Sequence, residues 1–144
     1  CIDFALVELG KLNDASLGPV LVRFLDFIEP PVLEPDQQRY RHPMPSFPAS
    51  EGLVAIGPPA IPSILKYLEG KGLSHFSKEM AAITLTGIVH DEIAAVRTIN
   101  DHNRSLMDYG AAANVLEAAR VAAGICHPER RAACEAVLYD QSKK

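Results

Sequence analysis

Hydrophobic residues recur along most of the chain at the three-and-four spacing of a helix that buries one side. Ile2, Ala5, Leu6 and Leu9 mark a first short amphipathic helix over 1–9, and Gly10 to Asn13 break it. Asp14 or Ser16 is placed to cap a second helix by accepting an orphan backbone N–H. That helix extends to about Ile28, with Val20, Leu21, Phe24, Leu25 and Ile28 on one side and Pro19 in its first turn. The pattern then lapses over 29–48. It returns as a helix over 49–56, capped by Ser46 or Ser50, and another over 60–69 with a stripe of Ile61, Ile64, Leu65 and Leu68. Ser74 or Ser77 opens a helix over 75–89. Further helices follow over 91–106, 111–124 and 128–140, the last with Pro128 in its first turn.

The joints between these helices resemble one another. Gly10-Lys-Leu-Asn-Asp14, Val54-Ala-Ile-Gly-Pro58, Gly87-Ile-Val-His-Asp91 and Gly124-Ile-Cys-His-Pro128 align position by position. Each has a small or apolar residue, then an apolar residue two places on, then a turn-former, then a cap or proline. They recur roughly every 30–45 residues, the period of a helical repeat array. A helix pair carries more apolar surface than it can hide alone, and stacking the next pair buries it. The pattern predicts an all-α fold: a short right-handed α-solenoid of about four helix pairs, over 1–28, 49–69, 74–106 and 111–140. Gly10, Gly87 and Gly124, near the ends of first helices, are expected to let helix backbones approach closely.

Leu53-Val-Ala-Ile-Gly-Pro-Pro-Ala-Ile-Pro-Ser-Ile-Leu-Lys-Tyr-Leu68 resembles a HEAT repeat of the bacterial, phycobilisome-lyase-like type, down to Pro62 in the first turn of the second helix. Leu9–Leu25, Ala82–Ile99 and 111–138 resemble it more weakly. The resemblance covers nearly the whole chain except 29–48. It implies a binding scaffold, and a fold by itself assigns no activity. The paired His-Glu motifs of HEAT-like iron hydroxylases are absent, because His90 precedes Asp91 and His127 precedes Pro128.

Composition narrows the partner. The chain has 144 residues, enough for one domain, and 48% are hydrophobic, enough for a core. A net charge of -4 disfavours wrapping a phosphate backbone, so nucleic acid is not expected as a partner. No apolar run reaches the ~20 residues of a membrane span, so membrane insertion is not expected. Cys1, Cys126 and Cys134 are too few for a disulfide framework. A bridge between the last two is geometrically possible, and a pair of small buried thiols is the favoured reading. Cys1 followed at once by helical spacing suggests a fragment of a longer chain.

Two surfaces are candidates for binding a protein or peptide. Six of the eleven prolines lie in 29–48, which makes that insert extended or turn-like. Within it, Arg39, Tyr40, Arg41 and His42, with Phe47 nearby, combine donors with aromatic surface suited to partner contact. The face of the second helices offers Arg23, Lys66, Tyr67, Arg97, Asn100 and Arg104, whose companions Asp26 and Asp101 mix the charge signs. The leading expectation is therefore a non-catalytic protein- or peptide-binding scaffold with no cofactor. The alternative is a metal- or cofactor-dependent enzyme built on His90 and His127, at equivalent joints, with Asp91, Glu92, Cys126 and Glu129 as further ligands. Nucleophilic catalysis has no Gly-x-Ser-x-Gly elbow to support it. Ser16, Ser50, Ser63, Ser74 and Ser77 all read as caps or surface residues.

Overall fold

The computed structural model describes residues 15–25 and 47–139, and these are helical with no strand among them. The first expected helix, the Asp14 and Ser46 caps, Ile28 and most of the proline-rich insert lie outside the described residues. Seven α-helices are described: α1 (Gly18–Leu21), α2 (Pro48–Ile56), α3 (Ile61–Leu68), α4 (His75–Val89), α5 (Glu92–Ser105), α6 (Tyr109–Gly124) and α7 (Arg131–Tyr139). Short 3-10 turns flank α1 at Ala15–Leu17 and Val22–Phe24 and precede α3 at Pro58–Ala60.

Local chemistry accounts for most boundaries. Pro48 opens α2 in a first turn that needs no donor from it. Gly57 ends α2 at φ 82°, a conformation that strains any residue with a β-carbon, and Pro58 and Pro59 then tighten the chain into α3. The Ser74 side chain accepts the backbone N–H of Ser77 at 3.0 Å and caps α4. Asp91 accepts from Ala94 N at 3.0 Å and caps α5, while Asp108 accepts from Gly110 N at 2.9 Å and caps α6. The turn between α4 and α5 is made by His90 in the left-handed conformation, φ 61°, which closes α4 through its N–H to Thr86 O at 2.8 Å.

The chain departs from the expected spans in two places. Within 15–25 the anticipated continuous helix is divided into a 3-10 turn, one α turn and another 3-10 turn. Gly18, Val20 and Val22 are weak helix formers, and the burial of Leu21 and Leu25 decides the local path instead. The last helix begins at Arg131, because 127–130 is taken up by a turn closed by Arg130 N donating to His127 O at 2.9 Å.

From α4 onward each helix packs on its successor, and α3 meets α4 and α6. α2 lies against α4, α4 against α6, and α5 against α7, while α1 meets both α2 and α3. The most extensive contact is between α5 and α6. Leu21, Leu53, Ile64, Leu85, Ile99 and Val115 lie fully buried in one cluster that runs through all of these contacts. Gly87 serves close approach as expected: a β-carbon there would stand 3.0 Å from Val54 Cγ2. Gly124 does not, since a β-carbon at that position meets nothing within 4 Å.

Ser50 is not a cap. It sits inside α2, buried, with its Oγ 2.7 Å from Thr84 Oγ1 of α4. Thr84 spends its only hydroxyl proton on Met80 O at 2.7 Å. The proton between the two hydroxyls is therefore supplied by Ser50, and the three groups form a directed chain across the α2–α4 interface. Thr84→Val keeps the shape but strands the Ser50 donor, so it should cost about 1–3 kcal/mol in urea unfolding. Ser50→Ala should cost about 1 kcal/mol, and the double variant less than the sum of the two.

Candidate functional site

The candidate sites are concavities between packed helices. α1 and α3 approach closely because Gly18 faces Ser63. A β-carbon on Gly18 would stand 2.6 Å from Ser63 Oγ, so glycine sets the separation of the two elements. Beside this contact lies a groove of about 420 Å³. Pro19, Val22 and Arg23 form one wall, and Pro62, Ser63, Lys66 and Tyr67 the other. α3 supplies its wall because its apolar stripe is spent on the core through Ile64 and Leu68, which leaves Pro62 and Lys66 outward. Tyr67 is half-buried and packs partly on the core.

The charged groups among the described residues of the groove are both cations, Arg23 and Lys66. Arg23 is exposed and has no ion pair among the described residues. Lys66, with its side chain 80% exposed, reaches Glu69 Oε1 at 3.5 Å. Such a solvated pair is worth little and leaves the ammonium available. Glu69 is mainly occupied elsewhere. Its carboxylate meets His102 Nε2 at 2.9 Å, and its carbonyl accepts Asn114 Nδ2 at 2.9 Å, tying the end of α3 to α5 and α6.

The structure brings Arg23, Lys66 and Tyr67 together around this groove and separates them from the rest of the second-helix set. Arg97 and Arg104 are exposed on α5 but do not line it. Asn100 is not a surface residue at all. It is 1% exposed, and its Nδ2 donates to Val137 O at 3.1 Å, holding α7 against α5. A polar residue at an expected solvent position is here the internal tether of a neighbouring helix. Phe47 leaves the partner surface as well: it packs half-buried on the core, its ring 6.1 Å from that of Phe76. Arg39, Tyr40, Arg41 and His42 lie outside the described residues.

The two histidines of the expected edge lie in different turns, His90 between α4 and α5 and His127 before α7. His90 is exposed at the left-handed turn. His127 is engaged differently: its backbone N–H and its Nδ1 both reach Glu92, the ring nitrogen at 2.5 Å from Oε1. Arg130, in the same turn as His127, pairs with Asp91, the cap of α5. Cys126, read as a possible metal ligand, is disulfide-bonded to Cys134, which corrects the expectation of two free thiols. The reversal at 127–130 brings the buried side of α7 onto the foot of α6, and both sulfurs lie inside the core. Among the described residues no three His, Cys, Asp or Glu side chains come together as a metal-binding group. The Glu92–His127 contact was not foreseen, although both residues were named; the signal for it was one repeat spacing between an acidic helix start and the next joint.

Comparison of the chain with protein-family models, with curated proteins and with solved structures finds no match.

The short loop closed by the disulfide makes its contribution to stability easy to isolate. Reduction should lower the unfolding free energy by about 2–3 kcal/mol. Cys134→Ser should lose a similar amount and should no longer respond to reductant, as read from denaturant midpoints with and without a dithiol.

Proposed function

We propose that this chain is a HEAT-like array of about four helix pairs, a short right-handed α-solenoid, that acts as a peptide-binding scaffold without chemistry of its own. The next-but-one contacts α1–α3, α2–α4, α4–α6 and α5–α7 support the array reading. The observation that carries the function is the α1–α3 groove, where two exposed cations, Arg23 and Lys66, stand over apolar walls of Pro19, Val22 and Pro62 beside an aromatic Tyr67.

This combination fits an extended acidic peptide. A carboxylate side chain pairs with Arg23 or Lys66, and an apolar neighbour lies on the prolines and the Tyr67 ring. Arginine and tyrosine are among the residue types enriched where interfaces concentrate binding energy. The net charge of -4 opposes an anionic partner only weakly at this site, because exposed charges beyond about 8–10 Å are screened at physiological salt. The two local cations outweigh that distant field.

A short labelled peptide alternating glutamate with leucine should bind, and its lysine counterpart should not. The double reversal Arg23→Glu/Lys66→Glu should weaken the acidic peptide about tenfold or more, through charge repulsion as well as lost pairing. Both positions are exposed, so the melting temperature should stay near that of the unmodified protein. Fluorescence anisotropy at two salt concentrations reads both effects. Equal binding of the two peptides, or an unchanged affinity in the double variant, contradicts the assignment.

A further inference from the structure

A second concavity lies away from the peptide groove, between α4, α5 and the end of α6, with a volume of about 280 Å³. It stands at the small end of ligand pockets, which run to roughly 300–1,000 Å³. Three alanines, Ala82, Ala95 and Ala122, one from each helix, make room for it. Ile83 and Ile125 also line it and remain 50% and 38% exposed, although both are large apolar side chains.

Its polar residues are Thr86, Glu92 and His127. Their hydrogen bonds determine what each has left to offer. Thr86 donates its hydroxyl proton to Ala82 O at 3.0 Å, so its oxygen remains as an acceptor. Glu92 accepts from His127 twice. A carboxylate cannot donate, so the neutral His127 ring carries its proton on Nδ1 and keeps a lone pair on Nε2. With the His127 ring neutral, all three groups present acceptors. Charge excludes two ligand classes. The Glu92 carboxylate repels an acid. An ammonium would have to give up its hydration in the alanine-lined space for a carboxylate whose oxygens already accept from His127.

We infer that this pocket is a binding site for a small, uncharged, apolar molecule bearing one hydroxyl donor, a phenol or compact alcohol. The hydrocarbon body fills the alanine-lined space, and the hydroxyl donates to the His127 ring or the Thr86 oxygen. Glu92 acts as a positioning residue, holding His127 in the tautomer that accepts.

Methyl-resolved NMR of the intact protein tests this with 4-methylphenol, toluene, 4-methylbenzoate and 4-methylbenzylamine as probes. The phenol should shift the methyls of Ala82, Ala95, Ala122 and Ile125 saturably. Toluene should shift the same methyls about three- to tenfold more weakly, the worth of one hydrogen bond. The two charged probes should leave these methyls unmoved. His127 is 72% exposed, so His127→Phe should fold and should bring the phenol-to-toluene ratio toward one. Thr86→Val, nearly isosteric, gives a second reading of that ratio. The inference is overturned if the phenol shifts no pocket methyl, if the benzoate or the amine binds as well as the phenol, or if neither variant lowers the ratio. None of these outcomes bears on the α1–α3 groove, so the two sites stand or fall separately.

Discussion

None of the described helices can hide its apolar surface alone, and that constraint organises the rest. α4 shows it most plainly. Ser77, Met80, Ala81, Ala82, Thr84, Leu85 and Ile88 are all buried, so its covered surface wraps much of the helix. A helix buried this widely needs neighbours on more than one side. α2, α3, α5 and α6 supply them. α3 has the opposite pattern: only Ile64 and Leu68 are fully buried, and the opposite face stays in solvent. The distribution of apolar residues around each helix thus sets its depth in the stack. Depth in turn determines which helices have a face to spare for binding.

The two concavities follow from two ways of leaving space between such helices. At the α1–α3 groove, Gly18 and Ser63 let the elements touch closely at one point, and proline rings form part of the walls beside it. Prolines present apolar surface without adding a donor, while the long Arg23 and Lys66 side chains keep their charges in water above it. At the α4–α5–α6 pocket the space comes from alanine side chains instead, and the polar groups have already spent their protons on one another or on the backbone. One site is open and cationic, and the other is smaller and rich in acceptors. Their ligands differ for that reason.

Helix existence and most helix ends were legible in the sequence because their causes are local. Ser74 is a cap by its own side chain, and Gly57, Pro58 and Pro59 turn the chain by their own geometry. The features that were misread have causes far away along the chain. Asn100 looks like a solvent residue until Val137 O, 37 positions on, is placed beside it. Ser50 looks like a cap until Thr84, 34 positions on, shows it to be a buried donor. Cys126 and Cys134 are close in sequence, yet the turn that decides their pairing is held in part by Asp91 and Glu92 of another helix. For the candidate sites, residue type pointed to Arg23, Lys66 and Tyr67, but only packing shows that these three share a groove while Arg97 and Arg104 stand apart.

The most direct measurement is a hydrogen-exchange footprint of the intact protein with and without an acidic, leucine-bearing peptide. The account expects added protection confined to 18–24 and 61–68, the two walls of the α1–α3 groove. Protection centred instead on α5, on the turn at 125–130, or absent at saturating peptide would contradict it.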